Sequence, residues 1–468
     1  MYTTPMRALL LGAAVAGLST SAAAQQPATA REQPPALGTP KAFRLPPKRE
    51  FTLGNGMKVT LVPFGKIPKV TIVNAIRTGN IDETSSEVWL ADMTGELMRE
   101  GTTTRSALQL AEQGAAMGGN VSVSVGTDVS QIGGTVLAER GVEMLRLVAD
   151  VTRNPRFPES ELPRLIAGRV RSLSIARSQP ATLAQEKFAS AIYGDHPYGV
   201  VFPSEAMLKG YTVAQVHAFY DRNFGAARSH LYVVGMYDEK AIEKVVRESF
   251  GDWKAGIAPT SKPASPKASP MVTLIDRPNA PQSTIVMGLP VMSPTSKDYA
   301  ALQVTDAILG GTFGSRITSN IREKKGYTYS PNSSVNAHPG TAVWAEQADV
   351  TTKFTGASIK EIFGEIDRMR KEPPPAAELA GVKNNMIGIF TLQNASRAGI
   401  AGQLINADVL GLGDDYLTGY VTRVMAVSPA DVQRIAQEQI APDRMTIVVV
   451  GDKKTVEEQV APFQKPVP

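Results

Sequence analysis

A strand-like hexapeptide occurs twice in this chain: residues 230–235 read HLYVVG and residues 446–451 read TIVVVG. Short runs of β-branched and aromatic residues that end at a glycine are typical of buried strands. Upstream of each copy, at the same spacing, lies a hydroxyl residue that predicts a helix N-cap, in TVAQV (212–216) and SPADV (428–432). The two pairs therefore share one offset of 216 residues.

The repeat extends toward the N-terminus of each copy. Residues 71–76 (TIVNAI) resemble residues 284–289 (TIVMGL), and the helical pattern at 88–98 aligns with 299–309, which places Thr94 over Thr305. Four similarities in one order, at nearly constant offset, predict a duplicated unit. Strand and helix patterns are grouped within each copy, which favours the α+β class. We expect two homologous α+β domains, each an antiparallel sheet covered by helices, joined by a linker into a clam-shell with a cleft.

Proline-rich stretches predict the boundaries of these domains. Residues 256–270 (GIAPTSKPASPKASP) have the composition of an interdomain linker, and residues 25–50 that of an extended arm. The N-terminal domain is then expected at 51–255 and the C-terminal domain at 271–468.

The first 24 residues have the pattern of a cleavable signal peptide. Arg7 precedes an apolar core at 8–18, and small residues follow at 21–24. We therefore expect export to the periplasm, with no membrane anchor after the signal is removed.

Composition excludes several kinds of chemistry. The 468 residues include no Cys, so disulfides, thiol nucleophiles and thiolate-bound metals are ruled out. Lys and Arg total 49 against 44 Asp and Glu, and the basic clusters are only pairs, which argues against a nucleic-acid partner. No two of the four His are spaced i, i+4, the spacing that presents two imidazoles on one helical face.

Two phrases resemble a known family. Residues 97–105 read LMREGTTTR and residues 193–199 read YGDHPYG; both are similar to phrases of the insulinase-like (pitrilysin-type, inverzincin) zinc metallopeptidases, and the resemblance extends from about residue 51 to the C-terminus. In active members, H-x-x-E-H precedes a phrase close to M-L-F-x-G-T-x-x-R. The resemblance thus places Asp92, Gly95 and Glu96 at the positions of the first His, the catalytic Glu and the second His.

The resemblance implies that the zinc site is lost here. Gly95 has no group that accepts a proton, and no acidic residue lies between Glu161 and Glu186, where the family's third ligand is expected. Asp92 and Glu96 share a helical face. A weak Mg²⁺ or Ca²⁺ site is one interpretation of this pair, and solvated carboxylates facing a cleft are the favoured one. We expect no bound metal, no cofactor and no catalytic residue in this chain.

The second half departs less from the family. Residues 321–330 (IREKKGYTYS) are similar to the family phrase LREKRGLAYS, whose Arg and Tyr, seven residues apart, reach across the cleft to substrate. That spacing selects Arg322 and Tyr329 as substrate-binding residues, since guanidinium and phenol both donate to peptide carbonyls. The local pattern predicts a helix at 315–325 capped by Gly326, then a strand from Tyr327.

Short members of this family often work as two chains, of which one has lost the zinc motif. The resemblance therefore implies the non-catalytic, substrate-binding subunit of a heterodimeric periplasmic zinc endopeptidase, with Zn²⁺ on a homologous H-x-x-E-H partner and peptides as substrates. The alternative is a non-enzymatic scaffold or peptide-binding protein of the cell envelope. The predicted hairpin at 118–134 has two interpretations: an edge that receives a peptide by strand addition, or packing in the core.

Overall fold

The computed structural model describes residue 38 and residues 40–464. The predicted signal peptide and most of the predicted arm lie outside the described residues. From Pro40 onward the chain forms one compact unit built around two β-sheets.

The first half forms a six-stranded sheet in the order β1-β2-β6-β3-β5-β4. Its strands are β1 (Arg49–Thr52), β2 (Lys58–Pro63), β3 (Lys69–Ile76), β4 (Ser122–Val125), β5 (Ser130–Leu137) and β6 (Ser229–Gly235). The pair β2–β6 is parallel and all other pairs are antiparallel. The short strand β4 lies at one edge.

The second half forms a five-stranded sheet in the order β7-β11-β8-β10-β9. Its strands are β7 (Val272–Asp276), β8 (Gln282–Val291), β9 (Asn332–His338), β10 (Thr341–Thr351) and β11 (Thr446–Gly451). The pair β7–β11 is parallel, at the place of β2–β6, and β9 takes the edge position of β4. Two sheets of matching strand order confirm the predicted duplicated α+β fold, although each sheet is mixed rather than purely antiparallel.

Helices cover both sheets. In the first half they are α1 (Leu90–Met98), α2 (Ala107–Ala116), α3 (Gly141–Arg153), α4 (Leu162–Ser178), α5 (Pro180–Tyr193), α6 (Glu205–Lys209), α7 (Val213–Asn223) and α8 (Glu239–Phe250). In the second half they are α9 (Tyr299–Leu309), α10 (Thr355–Lys371), α11 (Ala376–Gln393), α12 (Arg397–Val409), α13 (Asp414–Thr418), α14 (Tyr420–Ala426), α15 (Pro429–Gln439) and α16 (Lys453–Val460). Among the residues described, none of these helices is long and apolar enough to cross a membrane.

Both predicted hydroxyl N-caps are confirmed. Thr212 Oγ1 accepts from Gln215 N at the start of α7, and Ser428 Oγ accepts from Asp431 N at the start of α15. Each belongs to a reciprocal capping box, which satisfies two of the helix's free N–H donors.

The predicted strand from Tyr327 is wrong. The chain is helical through Thr318–Lys324, wound there as a wide π-helix, and Gly326 then turns it at a φ of 64°. Thr328 makes only an isolated bridge to Val350, and β9 begins at Asn332. Pro331 explains the delay, because it has no N–H to donate to a ladder.

The two halves exchange a helix. Helix α5 of the first half packs on β8 and β11 of the second sheet, and α12 of the second half packs on β3 and β6 of the first. The α5 contact is an apolar cluster of Ala184, Phe188, Ile192, Val286, Val343, Val448 and Val450. At the α12 contact, Arg77 Nη1 donates to the Asp408 carbonyl over 3.2 Å. Each sheet therefore has one face covered by the other half.

This exchange predicts that a first-half side chain stabilises the second sheet. Phe188 is 8% exposed, and its Cζ lies 2.9 Å from the Cβ position built on Gly288 of β8. Phe188→Ala should lower the free energy of unfolding by about 3–5 kcal/mol and speed amide exchange in β8 and β11, measured by hydrogen exchange with mass spectrometry. Lys187→Ala, an exposed change on the same helix, is the control. Unchanged exchange in β8 and β11 would contradict the interlocked arrangement.

Candidate functional site

Helix α1 carries the three motif positions, and an upstream carboxylate caps its start. Trp89 precedes the helix with a φ of 69°, and its side chain makes no capping bond. Instead Glu83 Oε1 accepts from Ala91 N over 2.8 Å. Burial raises the Glu83 pKa to about 8, although hydrogen bonds from the first α1 amides oppose the shift.

An arginine joins the carboxylates of Asp92 and Glu96. Arg169 Nη2 of α4 lies 3.3 Å from Asp92 Oδ1 and 2.9 Å from Glu96 Oε1. Asn80 Nδ2 donates to the other Asp92 oxygen over 2.8 Å. Each of the three charged side chains is only about one-fifth exposed. The two carboxylates are thus paired with a cation, and the interpretation of them as solvated is wrong.

These residues do not suit the zinc of the family resemblance. Zinc in proteins takes three or four His, Cys or carboxylate ligands; here two carboxylates face a guanidinium. Within residues 38 and 40–464, no group of three or more His, Cys, Asp or Glu is arranged to hold a metal ion. That this chain binds no metal stays a prediction.

Gly95 is required by packing as well as lacking a catalytic group. A Cβ at this position would lie 2.6 Å from Val125 Cγ2, so α1 rests directly on the edge strand β4. A glutamate at position 95 would push against β4. Glycine at this position therefore allows the close contact between α1 and β4.

A seam of aromatic and charged side chains lies between the halves, beside the α1 site. Tyr198 OH donates to Asp128 Oδ1 over 2.6 Å, and His338 Nδ1 of the second half lies 3.0 Å from Asp128 Oδ2. The Tyr198 and His338 rings stack at 3.9 Å. A cavity of about 280 Å³ on one side includes Asp92 and Arg169 in its lining. A cavity of about 480 Å³ on the other side also has Tyr198 and His338 in its wall.

The predicted Arg322–Tyr329 pair is in contact. The Arg322 guanidinium carbon lies 4.9 Å from the Tyr329 ring centroid and 4.3 Å from that of Phe313, so the cation sits against two aromatic rings. Arg322 Nε is also 3.1 Å from Glu323 Oε1. Tyr329 and Phe313 are 77% and 75% exposed, values high for aromatic side chains. The two rings therefore project into solvent, while the Arg322 side chain beside them is about one-fifth exposed.

Sequence reasoning missed Arg169, Phe313 and the Tyr198–His338 seam. The sequence of α4 contained a clue to Arg169, because this helix has four arginines and no acidic residue. Phe313 was marked only by its position in a glycine-rich stretch. The seam had no signal, since its members are far apart in the chain.

Comparison with known proteins identifies the family. The model described as "Insulinase (Peptidase family M16)" matches residues 65–201, and "Peptidase M16 inactive domain" matches residues 210–386. An uncharacterized zinc protease of Rickettsia felis is 26% identical over 68% of this chain and 77% of its own length. One from Mycobacterium bovis is 25% identical over 80% of this chain and 82% of its own.

Two solved structures share the fold. A peptidase M16 inactive domain from Pseudomonas fluorescens aligns with a TM-score of 0.79 at 23% identity, over 86% of this chain and 98% of that one. A protease from Helicobacter pylori aligns with a TM-score of 0.81 at 19% identity, over 87% and 100%. This chain belongs to the insulinase (M16) peptidase family and has the two-domain fold of that family.

The Arg169 pairing predicts a stability cost when the cation is removed. Arg169→Ala leaves two like charges one helical turn apart and should lower the free energy of unfolding by about 1–3 kcal/mol, measured by urea denaturation. Arg171→Ala, exposed on the same helix, should cost far less. Adding Asp92→Asn and Glu96→Gln to Arg169→Ala should recover stability. An effect no larger than that of Arg171→Ala would refute the pairing.

The α1–β4 contact predicts that a larger residue at position 95 destabilises the fold. Gly95→Ala should cost about 1–3 kcal/mol through its approach to Val125, beyond any gain in helix propensity. Combining it with Val125→Ala, which removes the opposing methyl groups, should restore part of the loss in a double-mutant cycle. Strictly additive effects would exclude this contact as the cause.

Proposed function

We propose that this chain is the non-catalytic, substrate-binding subunit of a two-chain zinc endopeptidase. The zinc site would lie on a homologous partner that carries H-x-x-E-H. The observation that carries the proposal is a contrast between two places. The zinc-motif positions of this chain hold an Arg169–carboxylate cluster, whereas Arg322 and Tyr329 are in contact and Tyr329 is exposed.

The exposure of the Arg322 group supports contact with another molecule. Phe313 and Tyr329 expose most of their ring surface on either side of a cation. Aromatic residues and arginine are enriched at the energetic centres of interfaces. A partner subunit or its bound peptide would cover this surface.

The chemistry of the pair fits a bound peptide. Arg322 offers several N–H donors and Tyr329 one O–H donor, and neither side chain has an acceptor for them other than Glu323 among the described contacts. Such donors hold peptide carbonyls and favour negative charge that develops on one of them. Peptide cleavage itself would take place on the partner.

The proposal includes export to the periplasm. It rests on the charged, apolar and small-residue segments at the N-terminus of the sequence. The absence of cysteine is compatible with that compartment.

The test is turnover of a peptide by the complex reconstituted with an H-x-x-E-H partner. Arg322→Ala or Tyr329→Phe should lower kcat/KM by roughly 10²-fold, the order expected for a lost transition-state donor, without dissociating the complex. Lys324→Ala and Tyr327→Phe are matched controls: the first is an exposed neighbouring cation, and the second stacks on Phe354 at 4.4 Å. Unchanged turnover in both test variants would reject the assigned role. A wild-type chain that supports no turnover with any such partner would favour the scaffold alternative.

A further inference from the structure

Helix α9 is the second-half counterpart of α1, and it carries a carboxylate where α1 has glycine. Thr94 Oγ1 donates to the Leu90 carbonyl and Thr305 Oγ1 to the Ala301 carbonyl, each over 2.8 Å, which fixes the register. In that register Asp306 corresponds to Gly95. The second half therefore presents a carboxylate from α9 at the position where α1 of the first half has glycine.

Asp306 is held by two neutral donors and by no cation among the described residues. Its Oδ1 accepts from Ser333 Oγ over 2.5 Å and from Trp344 Nε1 over 2.8 Å. A Cβ on Gly311 would lie 2.6 Å from Oδ2, so the glycine leaves that oxygen uncovered. Burial raises the Asp306 pKa to about 6, although these two hydrogen bonds oppose the shift.

A second carboxyl group lies behind Asp306. Glu346 is 0% exposed, and neither of its oxygens has a hydrogen-bond partner of normal geometry. A Cβ built on Gly310 would lie 2.7 Å from Glu346 Oε2 and 2.5 Å from Ser333 Oγ, so Glu346 points toward the group that holds Asp306. Burial, then the charge of Asp306, raises the Glu346 pKa well above its usual value.

Asp306 and Ser333 line a cavity of about 410 Å³ between α9, β9 and α11, whereas Glu346 is buried behind them and does not reach its wall. Asp306 and Gln303 line it from α9, and Gln303 Oε1 is a further buried acceptor without a partner. On the α11 side the wall includes Met386, Ile389 and Phe390. The cavity thus joins an apolar wall to two unpaired acceptors, Asp306 Oδ2 and Gln303 Oε1.

We propose that this cavity binds an alkylammonium or guanidinium group, such as the side chain of a lysine or arginine. The Asp306 carboxylate and the unpaired Gln303 oxygen favour a ligand that brings several N–H donors and a positive charge. The apolar α11 wall suits the methylene stem of such a group. A metal ion fits less well, because no third His, Cys or carboxylate joins the two acids within the part of the chain that the structure describes.

This site is independent of the proposed function, because it lies wholly in this chain. Its lining does not include Arg322, Phe313 or Tyr329. Its occupant is the side chain of a peptide or a free alkylamine, and both present the same chemistry to Asp306.

The test is calorimetric titration of the isolated full chain with three probes at pH 7.5. N-acetylarginine amide represents a peptide side chain, agmatine a free amine, and N-acetylcitrulline amide is the neutral control. We expect at least one cationic probe to bind and the citrulline probe to bind at least tenfold more weakly. Binding should weaken as the pH falls through about 6, where Asp306 becomes protonated.

Variants locate the site. Asp306→Asn should weaken binding at least tenfold, and so should Asn385→Trp, which fills the cavity from an exposed α11 position and leaves the buried acids in place. Asp367→Asn removes an ion-paired carboxylate of α10 and should leave binding unchanged. If Asp306→Asn does not fold, the Asn385→Trp variant and the pH dependence of binding still test whether the probe binds in this cavity.

The outcomes separate the two sources. Binding of N-acetylarginine amide supports a peptide side chain, and binding of agmatine alone supports a free amine. The proposal is overturned if neither cation binds at millimolar concentration, if citrulline binds equally, or if Asn385→Trp leaves binding intact.

Discussion

The exchange of α5 and α12 between the halves is the constraint on which the rest of the structure depends. The second sheet, which contains β8 and β11, has two apolar faces, and the helices of its own half cover only one of them. Helix α5 covers the other and removes Val286, Val448 and Val450 from water. Helix α12 covers the first sheet in the same way, so each half needs a helix of the other to bury its sheet. This exchange also fixes the two halves against each other at the seam of Tyr198 and His338.

The residues packed around α1 determine the arrangement of the degenerate site. Helix α1 is fixed from one side by Glu83 and from another by β4, so its Asp92 and Glu96 face α4 at a set distance. In active members of the family, a metal ion is expected at the corresponding place. Here the Arg169 guanidinium satisfies both carboxylates through a single nitrogen. The arrangement keeps the fold of a peptidase site, with glycine at the position that the resemblance assigns to the catalytic Glu.

The sequence was sufficient for the duplication and for the pairing of Arg322 with Tyr329, because both depend on local patterns or on one matched phrase. It was insufficient for Arg169, whose partners are on another helix, and for the Asp128–His338 contact, whose members lie 210 residues apart. It was misleading at Tyr327, where strand-like residues are separated from their ladder by Pro331. The helix exchange was equally hidden, since α5 and α12 show no pattern that says which sheet they cover.

The measurement that tests the central claim most directly is purification of the tagged chain, under mild conditions, from the cells that produce it. Mass spectrometry then identifies what accompanies it, and metal analysis follows for both chains. The account predicts a co-purifying chain of similar size that contains H-x-x-E-H, with about one zinc per pair, held by that chain. Stoichiometric zinc in this chain alone, or recovery without any such partner, would contradict it.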